Sequence, residues 1–283
     1  MKAVRYRSYG DSGVLVYEEA DRPVAGAGQV VVRVAGAAFN PLDVAIRAGF
    51  VQQVFPVAFP HIPNFDVAGV ITEAGEGVSG WSAGDAVVAF LPVTAPGAAA
   101  EYVAAPADVL AAAPRTVELA DAAALPSAGL TAWQSLFEHA GLKEGQSVLV
   151  NGAGGAVGGY AVQLAKQAGA TVIATASARS SGRLRSYGAD KIVDYIATPL
   201  PQAVAGQQVD VVLDLVRSNP EETAALAGLA RNGGALVSTT FPDLDDAGRG
   251  VRTVKVFARS DAIQLADLVA RVDGGELKID VAQ

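Results

Sequence analysis

The stretch Ser147-Val148-Leu149-Val150-Asn151-Gly152-Ala153-Gly154-Gly155-Ala156-Val157-Gly158 decides how the second half of this 283-residue chain folds. An apolar strand leads into a glycine-rich turn, and a helical composition begins near Val157. Glycines at such a turn let the backbone approach a pyrophosphate, whose charge the free amides and the positive end of the helix dipole stabilise. The stretch therefore predicts a nucleotide-binding loop, with a tight ligand-free turn as the alternative.

The glycines of this loop have the spacing Gly-x-x-Gly-x-x-Gly, which departs from the usual dinucleotide fingerprint. They are Gly152, Gly155 and Gly158, and we expect Gly158 to let the helix pack close to the sheet. Together with Ala156 and Val157 they form the predicted cofactor-binding set of the loop.

Strands and helices alternate after the loop, beginning with a helix at 157–168 and a strand at 171–175 and ending with a strand at 277–281. This alternation predicts the α/β class, with a Rossmann doubly wound parallel sheet that carries helices on both faces. The first third instead contains short β-branched runs separated by Gly, Pro and Asp, which predicts an irregular barrel or sandwich. A single helical turn is expected at 41–47.

Composition excludes several classes of function. The net charge of −8 makes nucleic acids and anionic membranes poor candidate partners. The chain contains no cysteine, which excludes disulfides, thiolate metal sites and thiol nucleophiles, and its two histidines are His61 and His139. No transmembrane helix and no export signal are predicted, so we expect a cytoplasmic location.

The residues after the strand at 171–175 bear on the choice of cofactor. An NAD-specific fold places Asp or Glu there to bind the adenosine ribose, whereas this chain has Ser177, Arg179 and Arg183. Hydroxyl and guanidinium groups suit a ribose 2′-phosphate, so NADPH is the expected cofactor. Either arginine can hold the phosphate or belong to a solvated helix face, and Tyr195 either bonds the same phosphate or packs.

Several ordered motifs resemble the medium-chain dehydrogenase/reductases, specifically their zinc-independent quinone oxidoreductase branch. They are Ala38-Phe39-Asn40-Pro41-Leu42-Asp43-Val44, Phe65-Asp66-Val67-Ala68-Gly69-Val70, Gly75-Glu76-Gly77-Val78, Gly84-Asp85-Ala86-Val87, Gly129-Leu130-Thr131-Ala132-Trp133, the glycine loop, Ala161-Val162-Gln163-Leu164-Ala165-Lys166 and Gly188-Ala189-Asp190. The resemblance implies a β-rich GroES-like substrate domain at 1–118, completed by about 258–283, and an NADP-binding Rossmann domain at 119–257.

The resemblance also implies site residues. Asn40 would donate its amide to the oxygen of the acceptor, and Thr131 would lie close to the nicotinamide. Each has a structural alternative, since Asn40 can cap a helix and Thr131 can be a buried helix residue. Relatives of this branch commonly form homodimers, so the resemblance implies a homodimer for this chain as well.

No metal is expected. The zinc-dependent relatives have Gly-His-Glu where this chain has Asn64-Phe65-Asp66, and they ligate zinc with cysteine. Asn64 also replaces a glycine common within the zinc-free branch. Acceptors activated by conjugation need no Lewis acid, so the expected enzyme is a zinc-independent NADPH oxidoreductase acting on a small-molecule quinone or α,β-unsaturated carbonyl. The alternatives are an enoyl-thioester reductase of secondary metabolism and a non-catalytic NADPH-binding protein.

Overall fold

The computed structural model describes residues 1–204, 206–240 and 249–281. Two compact units are formed, one by residues 1–127 with 260–283 and the other by residues 128–259. The sequence places the first boundary at 118/119 instead. The intervening residues belong to the first unit because Ala122 and Ala123 are buried there and the carbonyl of Ala120 lies where a side chain on Gly36 would stand.

The regular elements follow one another from a β-rich first part into an alternating second part. In chain order they are β1 (Lys2–Arg5), β2 (Val16–Glu19), β3 (Gln29–Ala38), α1 (Pro41–Arg47), β4 (Asp66–Ala74), β5 (Ala86–Phe90), β6 (Tyr102–Pro106), β7 (Leu110–Ala112), α2 (Pro126–Trp133), β8 (Ser147–Asn151), α3 (Ala156–Gln167), β9 (Thr171–Ala176), α4 (Ala178–Ser186), β10 (Lys191–Asp194), α5 (Leu200–Ala203), β11 (Val209–Asp214), α6 (Pro220–Leu229), β12 (Ala230–Ser238), β13 (Arg252–Lys255) and α7 (Ala262–Asp273).

The first unit is built on a five-stranded antiparallel sheet in the order β6-β3-β4-β5-β7. Both faces are covered where these strands cross the middle of the sheet, since the consecutive residues Val30, Val31 and Val32 of β3 and Val67 and Ala68 of β4 are all fully buried. The first residue of β4, Asp66, pairs with Ala38 on β3 and with Phe90 on β5. This register brings the carboxylate of Asp66 to the end of β3 from which α1 departs.

The second unit contains a six-stranded sheet in the order β10-β9-β8-β11-β12-β13, and all its strand pairs are parallel. The third, second, first, fourth, fifth and sixth strands of the unit follow one another across it, which is the Rossmann order. The order reverses between β8 and β11, so the glycine loop after β8 lies at the switch point where such sheets bind ligands. The predicted fold class is confirmed.

One local prediction differs from the structure. No strand forms at 277–281, because the amide of Leu277 donates to the carbonyl of Arg271 and closes the end of α7 instead. The helix that begins as α2 continues at Gln134–His139 in the wider π form rather than as a regular α-helix. Among the described residues, none of the helices has the length and apolar composition needed to cross a bilayer.

Candidate functional site

The glycine loop between β8 and α3 is shaped by close approaches of its own backbone. Gly152 has a φ of +87°, a left-handed conformation that favours glycine. A side chain on Gly158 would overlap the carbonyl oxygen of Gly152 and the backbone of Ala153. Gly158 therefore lets α3 begin directly against the loop.

Gly155 differs from these glycines because the protein does not require it for packing. It is the N-cap of α3, has an extended backbone and offers no side-chain cap to the first turn of the helix. A Cβ there would meet only the oxygen of Gly152, at an ordinary 3.6 Å. Gly155 and Ala156 are exposed, so the open space lies beside the first amides of a 12-residue helix. A pyrophosphate fits this donor set.

Helix α4 supports the glycine loop from the side. The Arg183 guanidinium donates to the carbonyl of Gly154 at 2.7 Å, and a Cβ on Gly154 would come within 2.8 Å of the Ser180 hydroxyl. Ser177 is the N-cap of α4, yet its side chain makes no capping hydrogen bond. Arg179 is exposed in the first turn. The two arginines thus have different surroundings, one bonded to the loop and one facing solvent.

Tyr195 lies in the turn after β10 and is 55% exposed, so it is not part of the core. Thr131 is a half-buried residue of α2 in the second unit. Asn40 belongs to the first unit. Of the predicted cofactor-binding segments, the structure joins the glycine loop and α4, through the hydrogen bond from Arg183 to the carbonyl of Gly154.

Asn40 caps α1 by a reciprocal capping box. Its side-chain oxygen accepts the backbone amide of Leu42 at 2.9 Å, and its backbone amide donates to the Asp43 carboxylate at 2.9 Å. With the oxygen held in this way, the side-chain nitrogen is turned toward the hydroxyl of Ser127, 3.4 Å away. Asn40 therefore does cap a helix, as the structural alternative held. Capping also fixes the orientation of its side-chain nitrogen.

Ser127 connects Asn40 to the buried Asp66. The backbone amide of Ser127 donates to Asp66 Oδ1 at 2.7 Å, and the two side chains share a hydrogen bond of 2.5 Å. Burial raises the pKa of Asp66 to about 7, against the two hydrogen bonds that lower it, and Asp43 adds a small further rise. Sequence reasoning missed Ser127, whose place at the start of α2 gave no signal of its contact with β4.

The backbone conformation at Asn64 accounts for the asparagine that stands where relatives commonly have glycine. Its φ of +71° is a left-handed conformation that asparagine tolerates better than most residues do. Its backbone amide donates to Asp43 at 2.9 Å, and its side chain donates to the carbonyl of Ala38 at 3.1 Å. Asp43 and Asn64 thus join α1, β3 and the segment before β4, which supports a structural role for Asp43.

His61 is buried and packs edge-on against the ring of Tyr6, with centroids 5.4 Å apart. Burial lowers the pKa of its imidazole to about 4. Over the described residues, no group of three or more His, Cys, Asp or Glu side chains is arranged to hold a metal ion. His139 lies at the end of the π-helical segment, where Arg252 donates to its carbonyl.

Family models match both parts of the chain. Residues 26–115 match the alcohol dehydrogenase GroES-like domain, and residues 156–263 match the zinc-binding dehydrogenase domain. A solved structure of the quinone oxidoreductase from Coxiella burnetii superposes with a TM-score of 0.89 at 29% identity, covering 100% of this chain and 90% of that one.

Three curated relatives are 30–38% identical to the chain over the aligned residues. The chloroplast envelope quinone oxidoreductase homolog of Arabidopsis thaliana is 38% identical over 86% of this chain and 76% of its own length. The 2-methylene-furan-3-one reductase of Solanum lycopersicum is 36% identical over 85% and 62%. The mitochondrial NAD(P)H oxidoreductase RTN4IP1 of Danio rerio is 30% identical over 78% and 62%. The chain thus spans less than two thirds of the latter two.

These relatives contradict the predicted cytoplasmic location. Their names place one at the chloroplast envelope and another in the mitochondrion. The prediction was wrong because it rested on the lack of a leader in the printed sequence, and the point where that sequence begins does not determine a compartment.

Asp66 leads to a testable pH dependence of stability. Its carboxyl binds a proton more tightly in the folded chain, with a pKa of about 7, than at its ordinary value of 3.8. The free energy of unfolding should therefore decrease as the pH rises from about 4 to about 7, by ~1.4 kcal/mol per unit of pKa difference, and level off above that range. Asp66→Asn, which keeps the shape and stays neutral, should lack this contribution. Urea unfolding of both proteins across this range tests it, and parallel profiles would contradict it.

Proposed function

Because the chain belongs to the quinone oxidoreductase branch of the medium-chain dehydrogenase/reductase superfamily, we propose that it is an NADPH-dependent, metal-free oxidoreductase that reduces a quinone or an α,β-unsaturated carbonyl. The family relation makes the chain a nicotinamide-dependent oxidoreductase in the broad sense. What we propose beyond this family relation is the preference for NADPH, the identity of the acceptor as a quinone or enone, and a reaction that needs no zinc.

The orientation of Asn40 carries the proposal. Reduction of a conjugated carbonyl places negative charge on its oxygen, which a pre-oriented hydrogen-bond donor stabilises. The Asn40 oxygen is held by Leu42, so only its amide nitrogen is available to an acceptor. That nitrogen has two hydrogens, of which one points to Ser127 and the other can serve the acceptor oxygen. Proximity of donor and acceptor supplies the rest of the catalysis.

The dinucleotide would be held by the second unit. The first-turn amides of α3, reached over Gly155, would bind the pyrophosphate, and Ser177 and Arg179 would bind the 2′-phosphate. Tyr195 is exposed beside β10 and is proposed as a further contact of that phosphate. By resemblance, Thr131 would contact the nicotinamide. When bound, the reduced nicotinamide supplies a hydride.

Zinc, which the matched dehydrogenase model implies, does not fit the residues present. The chain has no cysteine to act as a thiolate ligand. The Asp66 carboxyl is bonded by both the amide and the hydroxyl of Ser127. His61 is buried against Tyr6 rather than directed toward a second ligand. The proposed reaction therefore uses no metal. A homodimer remains a prediction, which light scattering tests.

An activity assay tests the proposed function. We expect the chain, after treatment with a chelator, to oxidise NADPH in the presence of at least one member of a panel of quinones and alkenals. Turnover that disappears on chelation and returns with zinc would contradict the metal-free proposal. Tight NADPH binding without turnover of any acceptor would favour a non-catalytic NADPH-binding protein instead.

Substitutions at Asn40 separate its chemical role from its capping role. Asp and Ser cap helices about as well as Asn, so Asn40→Asp and Asn40→Ser should unfold at temperatures close to that of the wild type. Both lack the amide donor, and we expect kcat to fall about 100-fold to 1,000-fold, as for the loss of one oxyanion donor. The affinity for NADPH should stay unchanged. A wild-type kcat in both variants would show that Asn40 acts only as a cap.

Substitutions of the two arginines test the choice of cofactor. Arg179→Ala should weaken NADPH binding by ~1.5–3 kcal/mol, the value of one charge-assisted contact, and leave NADH binding almost unchanged. Arg183→Ala is the matched control, since it removes the bond to Gly154 and should weaken both nucleotides alike. Ser177→Ala should behave like Arg179→Ala, to a smaller extent. Calorimetric titration with each nucleotide measures these effects, and equal losses for Arg179→Ala would contradict the assignment.

A further inference from the structure

A buried carboxylate collects hydrogen bonds at the carboxyl edge of the parallel sheet. Asp214 ends β11 and is fully buried. One of its oxygens accepts the side-chain amide of Asn151 at 2.9 Å and the backbone amide of Val216 at 3.3 Å. The other accepts the hydroxyl of Ser218 at 3.3 Å and lies 3.4 Å from the hydroxyl of Ser238, which also faces the carbonyl of Thr240 at 2.9 Å. Residues at or just after the ends of β8, β11 and β12 thus meet at one group.

The same carboxylate reaches the glycine loop through two further side chains. With its amide nitrogen bonded to Asp214, Asn151 turns its oxygen to the hydroxyl of Thr175, 3.2 Å away on β9. The Thr175 oxygen in turn accepts the backbone amide of Gly152 at 2.8 Å. Because each group donates in one direction, the relay runs from Gly152 through Thr175 and Asn151 to Asp214 without a competing arrangement.

The relay ends on the residue whose backbone shapes the loop. Gly152 is in the left-handed conformation, and its carbonyl accepts the amide of Gly155 at 3.1 Å. Fixing the Gly152 amide therefore fixes the turn that leads to the first amides of α3. Thr175 is 2% exposed, so it acts beneath the loop and not on a ligand.

We propose that Asp214, Asn151 and Thr175 are positioning residues that set the affinity of the chain for a dinucleotide pyrophosphate by holding Gly152 and the turn after it. This inference rests on the proposed function only in placing a dinucleotide at the glycine loop. The relay is proposed to affect the binding of one part of the ligand only, the pyrophosphate. A relay that merely stabilises the fold would affect every part of the ligand alike.

Two ligands separate these roles. NADPH carries the pyrophosphate, whereas adenosine 2′-monophosphate carries the adenosine and the 2′-phosphate alone. In Thr175→Val, which keeps the shape and removes the hydroxyl, the Kd for NADPH should rise about tenfold, as expected for one hydrogen bond. The Kd for adenosine 2′-monophosphate should stay within about twofold. Thr175→Ser restores the hydroxyl and should restore NADPH binding.

Asn151→Ala interrupts the same relay at a half-buried position and provides a second variant if Thr175→Val does not fold. Thr175→Ser is the matched control for both variants, since it keeps the hydroxyl that accepts the Gly152 amide. Equal weakening of both ligands, or no weakening of NADPH, in the folded relay variants would overturn the proposal. Wild-type NADPH binding without turnover would instead contradict the proposed enzyme function and leave the relay standing.

Discussion

The glycine loop has to hold a fixed conformation although, apart from the buried methyl group of Ala153, residues 152–155 carry no side chains. The space next to its backbone is what makes it suitable for a phosphate, so the loop cannot also be filled with packing groups. The structure solves this by fixing the backbone from outside. Thr175 accepts the first amide of the loop, and Arg183 donates to the carbonyl of Gly154. Only Gly155, on the exposed side, is left with open space around its missing side chain.

The first unit uses the same arrangement in another form. The oxygen of Asn40 is held by the helix that it caps, and its nitrogen is consequently oriented. Ser127 and Asp66 lie behind it, buried and bonded to each other. A side chain with two unlike ends can therefore take part in both stability and chemistry, provided that different atoms do each task. Capping by Asn40 is for this reason compatible with the catalytic role proposed for it.

The sequence predicted what depends on local pattern. Alternating strands and helices, the glycine turn and the helix at Pro41–Arg47 all follow from spacing and residue type. It did not reveal Asp214, Asn151 and Thr175 as one group, because they are far apart in the chain and meet only when three strand ends align. It could not separate Arg179 from Arg183, since both suit a phosphate until the carbonyl of Gly154 is located. The strand expected at 277–281 failed because its leading amide closes α7.

The convergence of three strand ends on Asp214 has a consequence for binding energetics. Residues at or just after the ends of β8, β11 and β12 share one carboxylate, so a displacement of Ser218 or Ser238 also changes the bond that holds Asn151. Free-energy changes caused by substitutions in different loops should then not add up, as is usual for members of one hydrogen-bond network. A substitution at one of these strand ends should therefore alter the hydrogen bonds at the others.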